Sequence, residues 1–275
     1  MFLCDYHIHS NFSFDADSGA SVDEICQSAI QRGLSSIAIT DHLDLNYKYE
    51  YPELVYNAAK ARRAIMEAKD KYKNKLDIAY GIELGQINQY PQDAKKIFNE
   101  SDFEFVICSL HSLRNMKDFY FYFKEDNDFS PARLNELYSL CLDEICEQIT
   151  LFGDKIDTLG HITYMHRYMA ECGLIMDITP HKEKLEYLFS LAIKNDVALE
   201  LNTSTLYKGL GFTMPTVDVM KMYRECGGRL ITIGSDTHTP NNIGRGIAES
   251  IGMLQDIGFD SLLCVKDGKK QLVKI

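Results

Sequence analysis

The sequence lacks any apolar run near the ~18 residues that a membrane-crossing helix needs, so no membrane association is expected. It also lacks a Cys-x-x-Cys pair: the eight cysteines, at 4, 26, 108, 141, 146, 172, 226 and 264, are scattered. In a chain of 275 residues that scatter suits buried, reduced thiols better than a disulfide framework or a cysteine-based zinc site. Positive charge is scarce. Lys plus Arg total 29 against 40 for Asp plus Glu, a formal charge of −11, which repels nucleic acid unless a local basic stripe reverses it. No such stripe is present. The densest basic segment, Lys60 to Lys75, is interrupted by Glu67, Asp70 and apolar residues and reads as the solvated face of a helix. The opening residues, Met1 to His7, carry neither a basic start nor an apolar run. No secretory signal is therefore expected, and the cytoplasm is the expected compartment. No Pro/Gly/Ser-rich linker, internal repeat or low-complexity tract divides the chain, which is expected to form one domain over residues 1–275.

What is present is alternation. Short apolar runs at Phe2–His9, Ser35–Thr40, Leu76–Glu83, Phe105–His111, Thr158–His161, Ala198–Asn202 and Arg229–Ser235 read as strands. Between them lie helical stretches. One opens at the capping box Ser21-Val22-Asp23-Glu24, and a long one is expected over Tyr51–Lys73 with Pro52 in its first turn. A third runs from Ser130-Pro131 to about Phe152, and others cover Pro180–Asn195, Thr216–Cys226 and Gly244–Ile257. Phe259–Val265 and Gln271–Ile275 are extended, without an obvious place. Repeated βα units imply a mostly parallel sheet, and seven or eight strands favour a closed α/β barrel.

Six of the eight histidines fall at or just after an expected strand end. They are His7 and His9, His42 beside Asp41, His111, His161, and His238 two residues after Asp236; Asp15 and Glu83 hold similar positions. In a parallel barrel those ends share one face, so residues distant in sequence meet in one pocket. His7 and His9, two apart on a strand, point to the same side. Neutral imidazoles and carboxylates are ligands that Zn²⁺, Mn²⁺ and Fe²⁺ accept. So many exceed the needs of one ion, and two or three ions sharing a bridging carboxylate is the simpler arrangement.

Other residues have two readings each. Arg167 suits bidentate contact with a phosphate, or an ordinary surface ion pair. His166 beside it is expected on the same face, and Arg245, between Gly244 and Gly246, is a second phosphate candidate or part of a glycine-shaped loop. Asn202 either orients a substrate or caps the following turn. His181, after Pro180, reads as a surface residue. The segments 115–129 and 207–213 follow strand ends and are candidate lids or packed loops.

The motifs Asp5-Tyr6-His7-Ile8-His9-Ser10, Thr40-Asp41-His42, Gly81-Ile82-Glu83, Ser109-Leu110-His111, Gly160-His161 and Gly234-Ser235-Asp236-Thr237-His238 resemble those of the polymerase and histidinol phosphatase (PHP) family. Length, motif wording and Leu201-Asn202-Thr203-Ser204 place the resemblance with its monofunctional histidinol-phosphate phosphatase branch. The resemblance implies a distorted (β/α)7, TIM-like barrel holding three divalent ions, Zn²⁺, Mn²⁺ or Fe²⁺. His7, His9, Glu83 and Asp236 would hold one ion. Glu83, His111 and His161 would hold the second. Asp15, with Asp17 as its alternative, would hold the third with His42 and His238. The implied activity is hydrolysis of the small phosphate monoester L-histidinol phosphate, a step of histidine biosynthesis. In it cations neutralise the ester oxygens and lower the pKa of a bridging water toward ~7. Glu83, Asp236, His238 and Arg167 are the implied catalytic residues, with Arg167, Asn202, His166 and Arg245 toward the substrate. Three other readings share parts of the pattern: a phosphoesterase for nucleotides, a non-catalytic metal-binding module, and a metal-dependent amidohydrolase. The complete ligand set opposes the second. The third usually places a lysine between its metals, and no lysine occupies such a position.

Overall fold

Buried strands joined by amphipathic helices can hide both faces only by packing the helices around the sheet. In the computed structural model, which describes residues 2–51, 54, 56–125 and 127–275, the chain does this. Strand β1 (Cys4–Ile8) leads to helix α1 (Val22–Gln31), where Ser21 and Glu24 form the reciprocal cap read from the sequence. Then come β2 (Ser36–Ile39), the short β3 (His42–Asp44), α2 (Tyr47–Glu50) and α3 (Ala58–Tyr72). These are followed by β4 (Asp77–Gly85), α4 (Pro91–Glu100), β5 (Phe105–Ser109), α5 (Phe119–Tyr122) and α6 (Pro131–Phe152). The second half carries β6 (Thr158–Leu159), α7 (Tyr164–Glu171), α8 (Lys182–Lys194), β7 (Ala198–Asn202) and α9 (Ser204–Tyr207). It ends with α10 (Val217–Glu225), β8 (Ile231–Gly234), α11 (Ile247–Ile257), β9 (Ser261–Lys266) and β10 (Lys269–Lys274).

Seven strands follow one another in the parallel order β1-β2-β4-β5-β6-β7-β8. The ring closes between its ends, where Asp236 N donates to His7 O (2.8 Å) and His9 N to Thr237 O (2.9 Å). The expected α/β barrel is therefore the observed one. β3 is an addition. The long β4 pairs with β2 through Tyr80 and then with β3, setting His42 beside Glu83 in register. The break at Thr40-Asp41 re-aims the chain and delivers His42 to the inner face.

The expected helix over Tyr51–Lys73 is shorter, beginning at Ala58 with the Asn57 side chain accepting from Lys60 N. Tyr51 precedes a proline, which disfavours helical backbone, and has φ −141°; Pro52 itself lies outside the described residues. Helices α4 and α7, absent from the sequence reading, fill long connections. Pro180–Asn195 is a 3-10 turn (Thr179–His181) leading into α8. His181 is not a surface residue: it is buried, with its ring edge-on to Tyr138 at 5.0 Å.

The two unplaced extended stretches form an antiparallel hairpin, β9–β10, turning at Asp267-Gly268, both with positive φ (51° and 70°) as a tight primed turn requires. It covers the N-terminal end of the barrel. The Tyr6 hydroxyl donates to Val265 O (2.9 Å) and accepts from Val265 N (2.6 Å), and Lys270 pairs with the nearly buried Asp157. The cysteines are free, and five are buried as expected, whereas Cys146 is half-buried and Cys172 and Cys226 are exposed. Among the described residues no helix is long and apolar enough to cross a membrane.

Closure demands a small residue on β8. A Cβ on Gly234 would lie 2.2 Å from His7 Cβ and 3.0 Å from His7 N, neither of which can swing aside. Gly234→Ala is expected to destabilise the fold by about 2–3 kcal/mol. A loss below ~0.5 kcal/mol in chemical denaturation would show that the strands are free to part there.

Candidate metal centre

The C-terminal ends of the parallel strands converge on Glu83, which is fully buried on β4. Its Oε1 accepts from the Ser109 hydroxyl (2.6 Å) and faces His161 Nε2 (3.0 Å) and His111 Nε2 (3.2 Å). Its Oε2 faces His42 Nδ1 (3.0 Å), His7 Nε2 (3.3 Å) and His9 Nε2 (3.6 Å). Five histidines from four segments thus surround one carboxylate. Asp236, whose positive φ of 51° turns its carboxylate inward, stands 3.7 Å from His7 Nε2 and 3.4 Å from His9 Nε2. Farther out, Asp15 meets His238 Nε2 (2.9 Å) and His42 Nε2 (3.5 Å). Asp17 is exposed and accepts from Gly19 N instead, so Asp15 is the acid brought to the histidines.

Three of the imidazoles are aimed by a partner behind them. His7 Nδ1 meets Glu200 Oε1 (2.6 Å), and His111 Nδ1 meets Asp44 Oδ1 (2.9 Å). His9 Nδ1 meets the Ser13 hydroxyl (3.2 Å), itself bound to Asp41. Asp5 accepts from Ser235 N and Oγ and from Gly244 N, bracing the turn that presents Asp236. Glycine makes room for this layer. A Cβ on Gly85 would fall 1.7 Å from Asp44 Oδ1, and one on Gly160 would fall 2.3 Å from Ser109 Oγ.

These supporting acids escaped the sequence reading. The available signal was a charged residue alternating with apolar ones inside a buried strand, as in Cys4-Asp5-Tyr6 and Leu199-Glu200-Leu201.

The donor set fits divalent cations. His7 Nε2, His9 Nε2, His111 Nε2 and Glu83 Oε2 are buried without any hydrogen-bond partner, and the three imidazole nitrogens all face the Glu83 carboxylate. An ordinary polar core pairs such atoms. Sets of three donors close enough to share an ion include His7–His9–Asp236, His7–Glu83–His161, His42–Glu83–His111 and His9–His42–His238. His42 therefore serves both the Glu83 and the Asp15 side.

The cluster floors a cavity of about 400 Å³ whose wall includes Arg167, Lys208, Asp118, Tyr164, Tyr168 and Tyr207. Both candidate lid segments contribute to that wall. Arg167, on α7, sends Nη1 to 3.7 Å from Asp236 Oδ2. The other proposed substrate contacts lie elsewhere. Neighbouring positions on a helix point about 100° apart, so His166 turns away and stacks on Phe212 at 4.5 Å. Asn202 Oδ1 caps the next turn, accepting from Ser204 N (3.0 Å) and Oγ (2.7 Å). Arg245 binds Asn242 Oδ1 (3.0 Å) on the surface. None of these three is among the residues lining the cavity.

Crowded carboxylates change the imidazoles' proton affinity. Burial alone would lower His7, but Glu200, Glu83 and Asp236 outweigh it and hold it well above the ordinary value. Burial is likewise outweighed at His42 by Glu83 and Asp15, which push it up to about 10, and at His111 by Asp44 and Glu83. His9 is down at about 3, through burial and the like charges of His238 and His42. In the metal-free chain at pH 7 the raised imidazoles therefore hold protons that a cation must displace. With three such imidazoles, metal loading at pH 7 is expected to release about three protons per chain. Calorimetric titrations in buffers of different ionisation enthalpy would measure this, and zero net release would contradict the charge balance.

The PHP domain family matches residues 5–204. The chain is 29% identical over 268 residues to a probable histidinol-phosphatase of Thermotoga maritima, covering 98% of this chain and 97% of that one. It is 26% identical over 259 residues to the histidinol-phosphatase of Lactococcus lactis, covering 94% and 92%. A crystal structure of the histidinol phosphate phosphatase of Lactococcus lactis, complexed with zinc, L-histidinol and phosphate, superposes with a TM-score of 0.80 at 22% identity, covering 98% of both chains. The strand-end ligands, the barrel that gathers them and the matched span together establish that the chain belongs to the PHP family.

Proposed function

We propose that the chain, acting as one unit over residues 1–275, hydrolyses L-histidinol phosphate to L-histidinol and phosphate. The observation that carries this reading is the convergence of five imidazoles and Asp236 on the buried Glu83, at the floor of a cavity that also holds Arg167. The names of its relatives from Thermotoga maritima and Lactococcus lactis, matched over nearly their whole length, support the substrate. Zn²⁺, Mn²⁺ or Fe²⁺ would be held in three groups: His7, His9, Glu83 and Asp236; Glu83, His111 and His161; and Asp15, His42 and His238. Bound cations would supply charge neutralisation of the ester oxygens and acidify a water poised for attack on phosphorus.

The chain's own residues do the rest. Glu83 bridges the first two groups. Arg167, whose Nε is buried without a hydrogen bond and stands 3.8 Å from Glu171 Oε1, donates to the phosphate's outer oxygens, where its hydrogen bonds strengthen as charge redistributes during transfer. Asp118 and the rings of Tyr164 and Tyr168 face the organic end of the substrate, whose amine and imidazole carry positive charge. Asp118 accepts from Tyr120 N (2.7 Å) and has no lysine or arginine partner among the described ion pairs. Burial lifts it to about 6, so near pH 7 it is an anion awaiting a cation. The free thiols and the small soluble substrate fit a cytoplasmic enzyme of histidine biosynthesis.

A panel of phosphate monoesters, including nucleotides, given to metal-loaded protein tests the substrate. Equal turnover across the panel would remove histidinol phosphate while leaving the phosphoesterase reading intact. Glu83→Gln is expected to cost more than the roughly 10–100-fold lost with a partner behind a ligand, while the far-ultraviolet dichroism stays native. Asp118→Asn is expected to lower kcat/KM about tenfold for histidinol phosphate and to leave phenyl phosphate unaffected. An equal loss on both substrates would assign Asp118 to the chemistry instead.

A further inference from the structure

We infer that Glu200 is a positioning residue whose single carboxylate couples two of the proposed cation groups. This rests on the metal-centre reading above. Glu200 lies in the middle of β7, flanked by Leu199 and Leu201, and is only 2% exposed. An ionisable residue in such a place is costly unless its oxygens are used.

Both oxygens are used, in opposite directions. Oε1 reaches past β8 to accept from His7 Nδ1 on β1 at 2.6 Å. Oε2 reaches toward β6, accepting from the His161 backbone N at 2.7 Å and from Asn202 Nδ2 at 3.4 Å. The space for Oε1 exists because β8 carries Gly234 there: a Cβ would come within 2.8 Å of that oxygen.

Each contact controls a different ligand. A 2.6 Å bond to a carboxylate oxygen keeps a proton on His7 Nδ1. The Nε2 lone pair is thereby left facing Glu83 and Asp236, in the first cation group. His161 has φ 22°, in the left-handed region. With Glu200 holding its N–H, the backbone there is fixed and the ring is aimed at Glu83 Oε1, in the second group. Asp44, by contrast, supports His111 alone. A carboxylate is required because both ends must accept. In a glutamine, either the oxygen serves His7 and the amide NH₂ confronts the His161 N–H, or the reverse. Loss of Glu200 therefore weakens two ions together, where loss of Asp44 weakens one.

The test compares wild type, Glu200→Gln and Asp44→Asn by calorimetric titration with Zn²⁺ and by elemental analysis after desalting. Glu200→Gln is expected to weaken two binding steps by about 10–100-fold each and to retain two fewer ions, with Asp44→Asn losing one. Wild-type-like binding by Glu200→Gln, or loss of a single step, overturns the inference. Absence of metal binding by wild type overturns the metal-centre reading itself, a separate result. Should Glu200→Gln fail to fold, the ¹⁵N-imidazole spectrum of zinc-loaded wild type decides: a His7 proton on Nδ1 supports the coupling, and a proton on Nε2 overturns it.

Discussion

A carboxylate sealed from water is expensive to keep ionised unless opposite charge surrounds it. Glu83 is fully buried, and its ion-pair partners among the described residues are all imidazoles. Burial alone would raise its proton affinity, yet His42, His7 and His111 hold it well below the ordinary carboxylate value. That concentration of donors is tolerable only because protons or cations can occupy it, and it dictates much of the surrounding architecture. β4 must run nine residues so that Glu83 sits deep, β3 must bend in to bring His42 alongside, and β1 must close against β8 to bring Asp236 across from His7 and His9.

The layer behind the ligands follows from the same need. Imidazoles free to rotate would not converge, and each that is held has an oxygen at its rear: Glu200, Asp44, or Ser13 backed by Asp41. Burial lifts Asp41 to about 6 even though Ser10 and Ser13 donate to it. The ligands and the side chains behind them crowd the inner wall so tightly that Gly85, beside Asp44, Gly160, beside Ser109, and Gly234, beside His7 and Glu200, leave no space for a methyl group. The glycines just after Glu83 and just before His161 and Asp236 thus belong to the geometry of the site and not merely to its loops.

What the sequence disclosed divides along physical lines. The strand ends and their ligands were readable because period and chemistry coincided: a short apolar run, then histidine or acid, repeated along the chain. The caps at Ser21 and Ser130 set two helix starts because their signals are local. Residues acting through long-range contacts were not readable. Glu200 pairs with a histidine 193 positions away, and nothing beside it in sequence announces that. His166 and Asn202 misled for the complementary reason, since nearness to a ligand or a strand end says little about where a side chain turns. Helix α7 does carry a buried pattern at Met165, Tyr168 and Met169, but it follows a two-residue strand too closely for the change of period to stand out.

The hairpin β9–β10 has a consequence for how the chain is born. Tyr6, on the first strand, finds its hydrogen-bond partner in Val265, 259 positions later. During synthesis the nascent polypeptide therefore exposes the open floor of its barrel, with the tyrosine and Cys4 that the hairpin would bury, until Val265 has emerged. A contact that spans nearly the whole domain forms late, because the long loop must close before the contact is rewarded. Completion of the barrel floor waits for the β9–β10 ribbon, which arrives as the closing stitch.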